Sequence, residues 1–300
     1  MPNKAKLFLA GVAGLGLGLL SVGAASACAL TLQPAETQWM IRHDPFTQDS
    51  VQRQFEVAVI NQGEERCSGK VRVELNGEEL GLRSATESTL IPYALIDNRN
   101  GADLTPRAGG VSARRLNAQP IGLAPGERGQ LQFTFAAAPS AVPSQGVYTQ
   151  EATLVLEDDN GLPVGARPVT LTFVVVPAAV MGLKGQFQRS NGVARFDLGE
   201  LAQGPLPLTA SLYVLSTGGY SVTVKSTNDG RLRLGQTDWY VDYVLGVGQN
   251  RMELLDPGSI NVVSRRARAD DYPLTVDVKS VAGVRAGDYT DELMFTVSAL

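Results

Sequence analysis

A six-residue phrase occurs twice in the chain, as Gly146-Val147-Tyr148-Thr149-Gln150-Glu151 and as Gly287-Asp288-Tyr289-Thr290-Asp291-Glu292. An alternating apolar stretch follows each copy, residues 152–156 after the first and 293–297 after the second. Alternation at period two puts successive side chains on opposite faces of an extended strand. After the first copy, Asp158-Asp159-Asn160-Gly161 is a turn signal, and residues 169–176 read as one further strand. The second copy runs to Leu300, where the sequence stops. The expectation is two related β-domains, of which only the first carries its own last strand. A sheet one strand short has an exposed edge that must be capped or used, so that edge is the candidate assembly site. A second pair of markers supports the repeat. Tyr93-Ala94-Leu95 precedes the first phrase, and Tyr243-Val244-Leu245 precedes the second at a similar separation.

The rest of the chain has the same character. Residues 55–59, 71–75, 91–96 and 130–135 carry strand patterns in the first half, with Asn76-Gly77 as a hairpin-turn signal. Residues 193–198, 208–215, 220–224, 231–234, 240–245 and 274–278 do so in the second. Short strands separated by turn signals at roughly ten-residue spacing predict β-sandwiches. The chain has 32 Gly and 16 Pro and lacks long amphipathic helical patterns, which agrees with an all-β reading. Residues 177–182 are small and apolar and read as the linker. The divisions are residues 1–27, 28–178 and 179–300.

Residues 1–27 have the pattern of a secretory signal: Lys4 and Lys6, an apolar Gly/Ala/Leu-rich segment, then Ala25-Ser26-Ala27 as a cleavage site. Export to the periplasm or cell surface is the expectation. Cleavage there makes Cys28 the first residue and leaves Cys67 as the other cysteine of the chain. In an oxidising compartment a Cys28–Cys67 disulfide is the leading reading, and a lipid anchor on Cys28 is the alternative. A net charge of −4 gives no basic footprint for nucleic acid.

Several stretches of the second half resemble the spore coat protein U family, subunits of archaic chaperone–usher pili. They are Phe196-Asp197-Leu198-Gly199, Tyr220-Ser221-Val222, Asn228-Asp229-Gly230-Arg231-Leu232, Val241-Asp242-Tyr243 and, most specifically, the motif Gly287-Asp288-Tyr289-Thr290. The resemblance covers about residues 183–300 and is weaker in the first half. It implies an immunoglobulin-like sandwich lacking its final strand. A periplasmic pilus chaperone fills the groove first, and a strand from the adjacent pilus subunit replaces it at the outer-membrane usher. On this reading Leu293, Phe295 and Val297 share the face that borders the acceptor groove, and Met294, Thr296 and Ser298 share the other. Only five residues separate Cys28 from Pro34, which leaves no long donor arm. A subunit that accepts a strand without donating one belongs at a pilus tip, with the first domain as adhesin.

No catalytic, cofactor or metal site is expected. His43 is the one histidine, in Arg42-His43-Asp44-Pro45, and reads as a solvent-facing loop residue. One His and two cysteines do not assemble the common zinc sites. Asp158-Asp159-Asn160-Gly161 lacks the spaced ligands of a calcium loop. Arg265-Arg266-Ala267-Arg268, followed by Asp270-Asp271, reads as a solvated, internally paired loop, or as a dock for an acidic chaperone or usher surface. Trp39, with Met40 and Ile41, reads as core. Residues 136–142 and the hairpin tip Leu162-Pro163-Val164 are candidate surface-contact loops. The competing function is a stand-alone secreted surface- or carbohydrate-binding protein with both sandwiches complete; a third, an exported enzyme, lacks any supporting motif.

Overall fold

The computed structural model describes residues 28–75, 79–106 and 118–300. The expected signal segment and the expected Asn76-Gly77 turn lie outside the described residues. Every described regular element is a strand.

The first ten strands are β1 (Leu30–Pro34), β2 (Gln38–His43), β3 (Gln52–Asn61), β4 (Cys67–Glu74), β5 (Tyr93–Asp97), β6 (Ala102–Asp103), β7 (Ile121–Leu123), β8 (Arg128–Ala137), β9 (Gly146–Glu157) and β10 (Pro163–Val175). They form two five-stranded sheets, β1-β3-β8-β5-β6 and β2-β10-β9-β4-β7. The inner faces enclose Trp39, stacked on Phe55 at 5.0 Å and Phe133 at 5.6 Å. The hairpin turn between β9 and β10 is closed by Asp158, whose Oδ1 accepts from the backbone N–H of Asn160 at 2.9 Å and Leu162 at 2.8 Å. Strand β10 lies antiparallel to β9 and parallel to β2. The order is that of an immunoglobulin-like sandwich with its last strand in place.

The second domain follows as β11 (Ala179–Gly185), β12 (Gln188–Ser190), β13 (Val193–Arg195), β14 (Gly204–Ser216), β15 (Tyr220–Ser226), β16 (Arg231–Leu234), β17 (Tyr240–Val247), β18 (Asn250–Met252), β19 (Gly258–Val262), β20 (Arg268–Val278), β21 (Tyr289–Thr290) and β22 (Leu293–Ala299). One sheet runs β11-β14-β20-β17-β16-β21, with β18 on β17, and the other is β19-β15-β22. The expected linker is shorter than its composition suggests. Ala179 to Gly182 pair with Ser216 to Tyr213 as the start of β11. Three residues, Val176, Pro177 and Ala178, remain between the last strand of one domain and the first of the next. They are pinned, since Ala178 donates to Thr217 Oγ1 at 2.9 Å and its carbonyl accepts from Thr217 N at 3.0 Å.

The domains meet at one corner. Gln145 N donates to Thr217 O at 2.7 Å, Gln145 Nε2 to Leu300 O at 3.3 Å, and Ala267 N to Ser144 Oγ at 3.0 Å. Arg266 stands 3.9 Å from Glu87. Of the basic cluster, Arg268 is forked onto Asp270 with both contacts at 2.7 Å, and Asp271 pairs with Lys184.

His43 is not the solvent-facing loop residue its neighbours suggest. It closes β2, 8% exposed, stacked on Phe173 at 5.4 Å, because the parallel pairing to β10 draws it into the sandwich.

Candidate functional site: the open edge of the second domain

The repeated phrase is one structural device built twice. Gly146 and Gly287 have φ of 144° and 146°, conformations that a side chain disfavours. Two residues on, Tyr148 Oη donates to Ser144 O at 2.9 Å and Tyr289 Oη to Arg285 O at 3.2 Å. Each tyrosine thus ties the start of its strand to the carbonyl four residues earlier, the tyrosine corner of immunoglobulin-like sandwiches. The fifth position is a polar hub in both. Gln150 accepts from Gly81 N at 3.0 Å and donates to Glu79 O at 2.7 Å. Asp291 accepts from Tyr243 Oη and Ser226 Oγ, each at 2.6 Å, and from Asn228 N at 3.1 Å. Burial, and then the Asp291 hydrogen bond, push the Tyr243 phenol well above its ordinary value. Tyr93 and Tyr243 also correspond, each on the strand beside the one that precedes the phrase in sheet order, β5 beside β8 and β17 beside β20.

Past the corner the two copies diverge. β9 runs between β10 and β4, while among the described residues β22 pairs with β15 alone. The inward row of β9 is covered: Tyr148, Gln150, Ala152, Leu154 and Leu156 are all 2% exposed or less. The inward row of β22, Leu293, Phe295 and Val297, is half-buried against the core, with Met294, Thr296 and Ser298 facing solvent. The same contrast holds for whole domains. Among the described residues the first core has thirty buried apolar side chains and five half-buried ones around it, the second sixteen and fifteen.

Backbone parity sharpens the picture. Thr227 N donates to Glu292 O and Leu300 N to Gly219 O, both at 2.9 Å. In an antiparallel pair the hydrogen-bonded positions alternate. Met294, Thr296 and Ser298 therefore bond to β15, and Leu293, Phe295, Val297 and Ala299 turn their N–H and C=O groups to the outer edge. The residues whose side chains line the open face are those whose backbone is unpaired among the described residues. No charge or proline lies in Leu293–Ala299 to discourage pairing.

Composition alone hides the opposite wall of this groove. Met181 and Leu183 on β11 and Leu206 and Leu208 on β14 are half-buried and turn to the same core. In the first domain that position is filled by β2 and β10, which bring in Trp39, Ile41, Leu171 and Phe173, each 3% exposed or less. The second domain has no counterpart of β2 among its described residues. Its chain leaves β11 for the largely exposed hairpin β12–β13 instead. The alternation Leu206-Pro207-Leu208 was the available signal, masked by its prolines.

The remaining sequence candidates fall elsewhere. Leu162 is 62% exposed at the β9–β10 tip, Pro163 opens β10, and Val164 packs against the first core. Asp288 is exposed beside the corner. Cys28 and Cys67 both lie at the first core, Cys67 buried and Cys28 half-buried beside it, with their thiols unbridged. Burial, then the contact with Cys67, push the Cys28 thiol up to about 12. Among the described residues no three His, Cys, Asp or Glu side chains converge as a metal site.

No protein-family model and no curated protein matches the sequence. Solved structures do resemble it in fold. One is a chain of the CsuC–CsuE chaperone–tip adhesion subunit pre-assembly complex, from archaic chaperone–usher Csu pili of Acinetobacter baumannii. It is 13% identical, with 91% of this chain and 99% of that one covered and a TM-score of 0.46. The CupB6 tip adhesin from Pseudomonas aeruginosa is 12% identical over 90% of this chain and 95% of that one, with a TM-score of 0.37. The CooA pilin subunit from enterotoxigenic Escherichia coli is 13% identical over 50% of this chain and 99% of that one, with a TM-score of 0.33.

Proposed function

We propose that this protein is an adhesive, non-enzymatic subunit of an archaic chaperone–usher pilus, exported through its N-terminal signal and assembled through the open edge of its second domain. The observation that carries the reading is the contrast within one chain: β9 is covered by β10, and the corresponding β22 has no partner on its outer side among the described residues. A strand entering beside β22 meets four unpaired backbone positions and an apolar row, the requirements of β-strand addition. A periplasmic chaperone fills the groove first, and the adjacent subunit's strand replaces it at the usher. The motif Gly287-Asp288-Tyr289-Thr290 anchors the strand that receives it.

Placement at the tip rests on the first domain. Leu30–Pro34, the stretch just after the expected cleavage site, is already strand β1 of its own sheet, with Leu30 0% and Leu32 1% exposed. That stretch is unavailable for donation. The first domain is then the adhesin, and the exposed tip at Leu162 and Pro163 is its candidate contact loop.

The test is periplasmic expression of the chain with and without the chaperone of its assembly system, followed by the N-terminal strand peptide of the adjacent subunit. Recovery only with the chaperone, and its displacement by the peptide, is the expected result. A stable monomer indifferent to the peptide would mean a secreted binding module with a closed second sandwich.

A further inference from the structure

The chain contains its own template for how a strand-donating domain sits on the domain it completes. In the first domain the completing strand is β10, antiparallel to β9, so its last residue, Val175, lies beside Gly146. Three residues later the second domain begins, and it packs on the corner at that end of β9. That corner consists of two loops. One precedes the tyrosine corner and bears Ser144 and Gln145, which bond to Ala267, Thr217 and Leu300. The other follows Arg83, which bridges to Thr149, and bears Glu87, 3.9 Å from Arg266.

The second domain has the same corner. Arg233 pairs with Thr290 as Arg83 pairs with Thr149, and Arg285 accepts from Tyr289 as Ser144 accepts from Tyr148. The loop after Arg233 bears Trp239, and the loop before Tyr289 bears Arg285. Here nothing covers them among the described residues. Trp239 is 40% exposed, and the Arg285 guanidinium lies over its ring at 4.0 Å. An exposed Trp with a stacked Arg, held on two anchored loops, has the composition of an interface hot spot. A strand entering antiparallel to β22 emerges at this corner, as β10 emerges at the other.

We infer that the Trp239–Arg285 corner is the seat for the body of the strand-donating subunit, which packs there as the second domain packs on Ser144, Gln145 and Glu87. The inference rests on the donor-strand reading above. The partner is a second β-sandwich domain joined to its donor strand by a linker of about three residues, the length of the intrachain one. By analogy with Thr217, whose carbonyl accepts from Gln145 N, it presents a loop end whose carbonyl or carboxylate oxygens meet the guanidinium.

The experiment uses the full chain and two probes: the pilus subunit that co-purifies with it from native fibres, and a synthetic peptide of that subunit's N-terminal strand. Trp239→Ala and Arg285→Ala are expected to leave peptide affinity within about twofold. Release of the intact subunit is expected to be about tenfold faster, the usual scale for a hot-spot truncation. Trp239→Phe, which keeps a ring for the guanidinium, is expected to retain most of the wild-type residence time, and unfolding curves check that each variant folds. Wild-type residence of the intact subunit on both alanine variants, with the peptide still bound, would overturn this inference alone. A wild-type chain that takes neither probe would overturn the donor-strand reading and this inference together.

Discussion

Aligning the two phrases sets Leu154 of β9 against Phe295 of β22, which provides an internal control for the open edge. Leu154 is 0% exposed under its completing strand, whereas Phe295 is half-buried. Truncating a fully buried Leu to Ala costs about 2–5 kcal/mol, and a fully buried Phe about 3–5 kcal/mol. Part of the Phe295 ring is still in solvent, so Phe295→Ala should cost the free chain only about 1–2 kcal/mol. Covering β22 with a strand completes that burial and raises the cost to the full range. The difference, about 2 kcal/mol, must appear as weaker strand binding of roughly thirtyfold. Val169, Leu171, Phe173 and Val175 are each 2% exposed or less on β10, so a peptide of residues 167–176 is a rational surrogate donor. Anisotropy titration of the labelled peptide against wild-type and Phe295→Ala chains gives the ratio. Urea unfolding, with each domain followed separately, gives the two stabilities. Equal peptide affinity for both chains would refute the reasoning. So would a Phe295→Ala cost in the free chain as large as that of Leu154→Ala.

Four other expectations follow from the geometry. Tyr148→Phe and Tyr289→Phe should each lower stability by about 1 kcal/mol, one hydrogen bond's worth, the first in the unfolding of the first domain and the second in that of the second; both effects in one transition would contradict the paired corners. Asp291→Ala leaves Tyr243 Oη and Ser226 Oγ without their acceptor and should cost the second domain about 2–4 kcal/mol by urea titration, so a neutral variant would remove the hub. Burial holds the His43 pKa below its ordinary 6.5, so the unfolded chain binds the proton more readily. Its contribution is complete above pH about 6.5 and is lost as pH falls through that value toward the lower folded pKa; comparing urea midpoints at pH 7.5 and 5.5 in wild type and His43→Phe tests it, and an identical drop in both would sink it. Oxidation on export should join Cys28 to Cys67 around a loop of ~40 residues and stabilise the first domain by about 3–4 kcal/mol; two titratable thiols per chain in periplasmic protein would argue against this.

The sequence by itself carried the repeat, the strand content and the inward face of β22. These follow from local rules: a glycine at φ near 145°, a tyrosine two residues on, and apolar residues at period two wherever one face of a strand is buried. It did not carry β2, whose Trp39-Met40-Ile41 run reads only as an apolar cluster, because its partner β10 is more than a hundred residues away and pairs in parallel. Nor did it carry β11, whose small residues read as a linker until β14 is alongside, or the burial of His43. Short or edge strands such as β12, β18 and β19 have too little buried face to print a period on the sequence. The expectation that only the first domain carries its own last strand came from residues 169–176, which follow the first phrase. What only the tertiary structure decided is what faces β22 across its open side: Met181 and Leu183 of β11 and Leu206 and Leu208 of β14 turn to the same core, a non-local juxtaposition that no period along the chain encodes.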